Sequence, residues 1–143
     1  MKGFFSREQI ETQAVRKIDE GVCNCLECGL YRSCISPKMS YNGLGRLKSL
    51  ILAEAPGFQE DKYNTQLKGP TGDFFKSSIR KHGLDLKRDF YRLNAVNCRP
   101  IDGNSNRTPT SKEVNCCRPM VFQTIDEIKP KRWSFVNFSE CNE

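Results

Sequence analysis

The chain has 143 residues, 37% of them apolar and 28% charged, with a formal net charge of +6. That length suits one domain rather than two, and the composition excludes a disordered polymer. No apolar run approaches the ~20 residues of a membrane helix, and MKGFFSREQ turns polar too soon for a secretory signal, so a cytoplasmic protein without a membrane partner is expected.

Ser6 followed by Gln9 is a capping-box pattern, and Ile10, Ala14, Val15 and Ile18 share one helical face, which predicts an N-terminal helix within residues 1–22. The segment CNCLECGLYRSC follows, too irregular for a long element. After a loop holding Gly43 and Gly45, Ser49 to Ala53 reads as a short buried strand, stopped by Ala55-Pro56-Gly57. The polar stretch 58–72 is expected to be a loop. Phe74, Phe75 and Ile79 predict a helix terminated by Gly83, and Phe90 to Val96 forms a second run of strand length.

Residues 99–109 are rich in Pro, Gly and Asn, hence a loop. Thr110 with Glu113 makes a second capping box, and Val114, Cys117, Val121, Ile125 and Ile128 form a helical stripe. Pro119 is expected to kink or restart that helix, and Pro130 to end it. Trp133 to Phe138 is a last strand. Strand, helix, strand, helix, strand is the alternation of an α/β domain with a mainly parallel sheet.

Three features carry chemistry. Eight cysteines in a reducing compartment suggest metal ligands rather than disulfides. Cys25 and Cys28 form C-x-x-C, which presents two thiolates from one turn; Cys98 follows a strand and Cys117 lies near the start of a capped helix. Four thiolates suit tetrahedral zinc or a 4Fe–4S cluster, and spacing does not choose between them. The bland alternative makes Cys98 and Cys117 small buried hydrophobes. Cys23, Cys34, Cys116 and Cys141 stand outside this set.

The second feature is the strand-to-loop junction at Glu54. Ligands of open α/β sheets bind beyond the carboxyl ends of strands, so an acid emerging there is placed for catalysis. Gly57 permits close backbone approach, and Glu60 and Asp61 follow; the alternative is that these acids are merely solvated. The third is Asn94, whose amide offers a donor and an acceptor to a base edge, although most strand-end Asn residues bond the backbone instead.

Taken together, C25-x-x-C28-x-L30, 53-AEAPGFQED-61, 94-NAVNCRP-100 and 107-RTPTSKEVNCCRP-119 resemble the iron–sulfur (family 4) uracil-DNA glycosylases, over residues 23–130. The resemblance implies one three-layer glycosylase-like domain over 1–143 and hydrolysis of the N-glycosidic bond of uracil in DNA. It implies a structural 4Fe–4S cluster on Cys25, Cys28, Cys98 and Cys117, in preference to zinc. By the same similarity Glu54 positions or activates the attacking water and Asn94 pairs with the flipped base. Ala55 and Gly57 line the substrate, and Leu67 stands where the family has a Phe that stacks on uracil, a role in which Phe58 would compensate. Arg99 and Arg107 fall within matched motifs and are the candidates for DNA phosphate.

The family pattern continues past residue 130 into further sheet and a His-Pro-Ser-type motif without counterpart here, where the only histidine is His82 at a helix end. The expectation is therefore a domain lacking its C-terminal part, acting as a monomer on uracil-containing DNA. A non-catalytic, metal-stapled DNA-binding remnant of the same fold and a zinc-binding interaction module are the alternatives.

Overall fold

The computed structural model describes residues 25–136; the helix expected within 1–22 and the last two residues of the strand expected to end at Phe138 lie outside them. The cysteine-rich segment forms two short 3-10 turns, Cys25–Cys28 and Leu30–Arg32, joined by Gly29 in a left-handed conformation. Five strands follow in chain order: β1 Ser49–Ala53, β2 Phe90–Asn94, β3 Ile101–Asp102, β4 Ser105–Asn106 and β5 Arg132–Val136. The helices are α1 Phe58–Tyr63, α2 Pro70–Arg80, α3 Leu86–Asp89 and α4 Ser111–Ile128.

The main sheet has the order β2-β1-β5 and is parallel throughout. Ser49 is in register with Phe90 and Arg132, and Ala53 with Asn94 and Val136. The central strand is apolar on both faces because both faces are covered. Leu50 packs with Leu93, Val121 and Ile128 beneath α4. Ile51 and Ala53 point the other way, into a cluster with Leu67 and Leu86 against which Phe75 and Ile79 of α2 pack. Full burial of a side chain such as Leu50 contributes roughly 1.5–3 kcal/mol. The result is helix, sheet, helix: the expected three-layer α/β arrangement.

The strands and the second capping box stand where the sequence predicts them. The Thr110 hydroxyl accepts from the Glu113 N–H, and the Glu113 carboxylate accepts from the Thr110 N–H. Pro119 neither breaks nor restarts α4. It withholds one N–H from the carbonyl four residues back, while Val114 and Cys117 before it pack in one cluster with Val96, and Val121, Ile125 and Ile128 after it pack on β1 and β2.

Two expectations are corrected. Residues 58–72 are not one loop: Gly57 leads into α1, and α2 begins with Pro70 at its first position, where a missing N–H is harmless. The segment 99–109 contains the β3–β4 hairpin, turned at Gly103 with φ +58°. Among the described residues no helix is long and apolar enough to cross a membrane.

Candidate functional site

β1 and β2 deliver Glu54 and Asn94 to the same end of the sheet. Ala53 pairs with Asn94, and the ladder runs one step further, with the Ala95 N–H donating to the Ala53 carbonyl (2.8 Å) and the Val96 N–H to the Glu54 carbonyl (3.0 Å). A carboxylate and an amide therefore leave neighbouring strands at their carboxyl ends, where α/β folds bind ligands. Asn94 is 1% exposed, and its side-chain N–H donates to the Met39 sulfur at 3.6 Å, a weak acceptor.

The loop around this mouth is held by the two acids that follow Glu54. The Glu60 carboxylate accepts from the backbone N–H groups of Lys68 (3.0 Å) and Gly69 (3.1 Å), at the entry to α2. Asp61 is buried; its oxygens accept from the N–H groups of Ile35 (3.0 Å) and Ser36 (2.7 Å), and its carbonyl accepts from the Ser36 hydroxyl. Both acids are structural ties, the second pinning the segment beyond Cys34 onto α1. At Gly57 an added Cβ would meet Glu60 Oε2 at 2.8 Å and Asn106 Nδ2 at 3.3 Å, so the two side-chain tips close over the backbone there and would have to shift for any larger residue.

The other sequence-predicted residues lie as follows. Leu67, at φ +56°, is buried in the cluster under α2 instead of standing open as a platform. Phe58 is half exposed, with the Arg99 guanidinium 5.1 Å from its ring centre. Arg99 also donates from Nε to Asn106 Oδ1 at 2.7 Å. Ala55 packs beside Leu30 and Val96. Arg107 is clamped by Glu113, with bonds of 2.9 and 2.6 Å from its two terminal nitrogens, so its charge is already committed.

The thiols gather behind this mouth. Cys98 and Cys117 are buried with Leu30 and Val96, and Cys28 and Cys34 pack against them. The Cys25–Cys28 turn packs on α4. The Cys117 thiol feels both Cys28 and Cys25, and the Cys98 thiol feels Cys34 and Cys117. Cys116, next to Cys117, is disulfide-bonded, which corrects the expectation that the cysteines stay reduced, and it stands outside the free set. The thiol that sequence reasoning misses is Cys34, which packs against the cluster that holds Cys98; it sits six residues beyond C-x-x-C, a spacing that signals nothing by itself.

Burial pushes Cys98 up to about 12 and raises Cys117 and Cys34 as well. Backbone donors oppose it: the Lys38 N–H points at the Cys98 sulfur from 3.2 Å, and the Asn97 N–H at that of Cys117. Such donors stabilise thiolates once a metal supplies the positive charge. Among the described residues no three of His, Cys, Asp and Glu stand close enough to chelate a single ion. Four thiolates 2.3 Å from one zinc would lie only about 3.8 Å apart. The sulfurs as placed are sheltered and supported by backbone N–H groups, the surroundings in which thiolate ligation of a metal or of an iron–sulfur cluster is favourable.

Comparison with known proteins supplies the last observation. Residues 40–136 match the family model described as the uracil DNA glycosylase superfamily. The chain is 32% identical over 120 residues to the type-4 uracil-DNA glycosylase of Pyrobaculum aerophilum, covering 82% of this chain and 58% of that protein. It is 33% identical to the one from Sulfurisphaera tokodaii (82% and 52%) and 28% identical to the one from Thermotoga maritima (88% and 61%). The chain spans between half and about three fifths of the length of these relatives.

Proposed function

The chain belongs to the uracil DNA glycosylase superfamily, and from that premise we propose that it hydrolyses the N-glycosidic bond of uracil in DNA, working as a cytoplasmic monomer. The observation that carries the proposal is the pairing of Ala53 with Asn94, which brings Glu54 and Asn94 to adjacent strand ends. The target base leaves the stack, at a cost of a few kcal/mol, and enters beside Asn94. Uracil and cytosine exchange donor and acceptor along the edge an amide can read. An Asn held in one orientation therefore accepts uracil and leaves cytosine with unpaired polar groups.

Met39, the present partner of the Asn94 amide, is a flexible thioether that the base displaces on entry. Glu54 holds a water against C1′. The C1′–N1 bond breaks with its electron pair passing to uracil N1, the water oxygen bonds C1′, one water proton passes to the Glu54 carboxylate and on to solvent, and the uracil anion takes up a solvent proton at N1. Free uracil and an abasic sugar result. By motif resemblance Arg99 and Arg107 lie near the DNA strand; Arg99 serves by stacking on Phe58, and Arg107 by bracing α4 through Glu113.

Cys25, Cys28, Cys98 and Cys117 are the residues that would hold a 4Fe–4S cluster. Bound there, the cluster supplies a cross-link between the N-terminal turn, the end of β2 and α4, and the hydrolysis consumes no electrons. The test is direct. Excess protein incubated with uracil-containing single-stranded DNA should leave alkali-labile abasic sites at the uracil. Cleavage no greater than that of Glu54→Ala would overturn the proposal.

A further inference from the structure

A cavity of about 490 Å³ opens on the outer flank of β2, between the 42–44 segment, the 65–68 loop and Arg92. There Asn42 bridges to Arg92 through two backbone bonds of 2.8 and 2.9 Å, closing the sheet edge. Its lining includes Arg92, Lys68, Lys76 and Lys87, and among the described residues no carboxylate. Three elements thus aim cations at one space: β2, α2 and α3, with Lys68 on the loop before α2.

Arg92 makes the cavity more than a solvated basic surface. The residue is only 5% exposed, yet its Nε has no hydrogen-bond partner. One terminal nitrogen donates to the Gln66 carbonyl at 3.2 Å. Gln66 itself is locked, accepting from the Asn42 amide (3.1 Å) and donating to the Ser40 carbonyl (2.7 Å). A guanidinium buried against one neutral carbonyl is poorly compensated for the water it has given up. Burial indeed pulls its pKa below the usual value, against only the field of Asp85.

The lysines do not relieve it. Lys76 reaches the exposed Asp73 at 3.3 Å, and Lys68 lies over the Tyr63 ring at 5.2 Å. We propose that this cavity is a phosphate-binding site, with Arg92 at its floor and Lys68, Lys76 and Lys87 around its mouth. A planar guanidinium with free N–H donors matches phosphate oxygens, and point-charge lysines complete the neutralisation. Arg92 lies two residues before Asn94 on β2, roughly 6–7 Å away along the same face of the strand, so a phosphate held there would neighbour the base-reading position without occupying it. Its volume exceeds what one phosphate needs and suits a phosphorylated nucleoside. The phosphate belongs either to a free small molecule or to the backbone of bound DNA.

Two measurements on the full chain separate these sources. The first is the thermal midpoint with inorganic phosphate or pyrophosphate, against chloride at equal ionic strength. At ten times its Kd, a bound anion multiplies the folding equilibrium about 11-fold, a rise of several degrees. The second is the salt dependence of affinity for a uracil-free single strand, whose slope falls by about 0.7 for each phosphate that is no longer neutralised. The variants are Lys76→Gln/Lys87→Gln, confined to lysine side chains at the mouth, and Arg92→Met, which keeps volume while removing the buried charge. Arg92→Met should be as stable as the parent without anion or more so, so a vanished response cannot be ascribed to unfolding.

A phosphate-induced rise absent from both variants establishes a free-anion site. No rise, but a shallower DNA salt slope in both variants, establishes a backbone-phosphate site. A parent with no rise and variants with the parental slope, or variants that keep the rise, would overturn the proposal. None of these readouts requires glycosidic activity.

Discussion

Glu113 holds the start of the helix that carries Cys117, and its contribution can be worked from the bonds it makes. Its carboxylate, 8% exposed, accepts two bonds from Arg107 (2.9 and 2.6 Å) and one from the Thr110 N–H (2.8 Å). Breaking a paired, charge-assisted bond of this kind costs about 1.5–3 kcal/mol. Removing the capping acceptor as well adds about 1 kcal/mol. Glu113→Gln, which keeps an oxygen for Thr110, should therefore cost about 2 kcal/mol and Glu113→Ala about 3 kcal/mol. For a chain of this size that is a fall in the melting midpoint of roughly 6–15 °C.

The pH dependence gives the sharper check. Bonds from Arg107, then the Thr110 N–H, hold the Glu113 carboxyl below the usual range. A group whose folded pKa is depressed stabilises above its unfolded value, about 4.3, and loses that stabilisation as pH falls through the lower folded value. The gap between parent and Glu113→Gln, read by calorimetry, should be full at pH 7 and shrink progressively as the pH falls below about 4. A gap undiminished in acid, or a Gln variant as unstable as the Ala variant, would refute the assignment to the ion pair. A double-mutant cycle with Arg107→Ala should return a coupling of about 1–3 kcal/mol.

The same structure makes three further predictions. Cys98→Ala should lose the iron and visible absorbance of anaerobically prepared protein whereas Cys34→Ala keeps both; the reverse would hand the ligand role to Cys34. Asn94→Ala should reduce abasic-site formation by about 100–1,000-fold without lowering DNA affinity measured by anisotropy, and an equal loss in both would make Asn94 a binding residue only. Asp89 is held well below the carboxylate range by Arg88, the Asp85 N–H and Arg46, so Asp89→Asn should lower the melting midpoint at neutral pH and narrow its difference from the parent in acid, as calorimetric scans at both ends will show.

What is legible in the sequence is what neighbouring residues determine. A run of four apolar residues after Ser49 announces β1, and Thr110 with Glu113 announces the helix because both capping partners lie within four positions. The stretch 58–72 reads as a loop because its acids act at a distance. Glu60 bonds N–H groups eight and nine residues on, and Asp61 reaches back 25 and 26 residues. In the linear order they look like solvated loop charges. Cys34 escapes notice for the same reason, since only the fold sets it beside Cys98.

Arg92 shows the limit most clearly. In FYRLNAV it reads as one polar position in a strand-length apolar run, and nothing local distinguishes an arginine that snorkels to water from one that stays buried. Its surroundings come from remote segments: Asn42 across the sheet edge, Gln66 from the loop before α2, and lysines from two helices. A formal charge of +6 spread over the sequence excludes little. Four cations around one cavity with an unsatisfied guanidinium at its base are a different matter, because water at the mouth cannot repay a donor it does not reach. The charge that points weakly to a polyanion in composition becomes, once folded, a demand for an anion at one place.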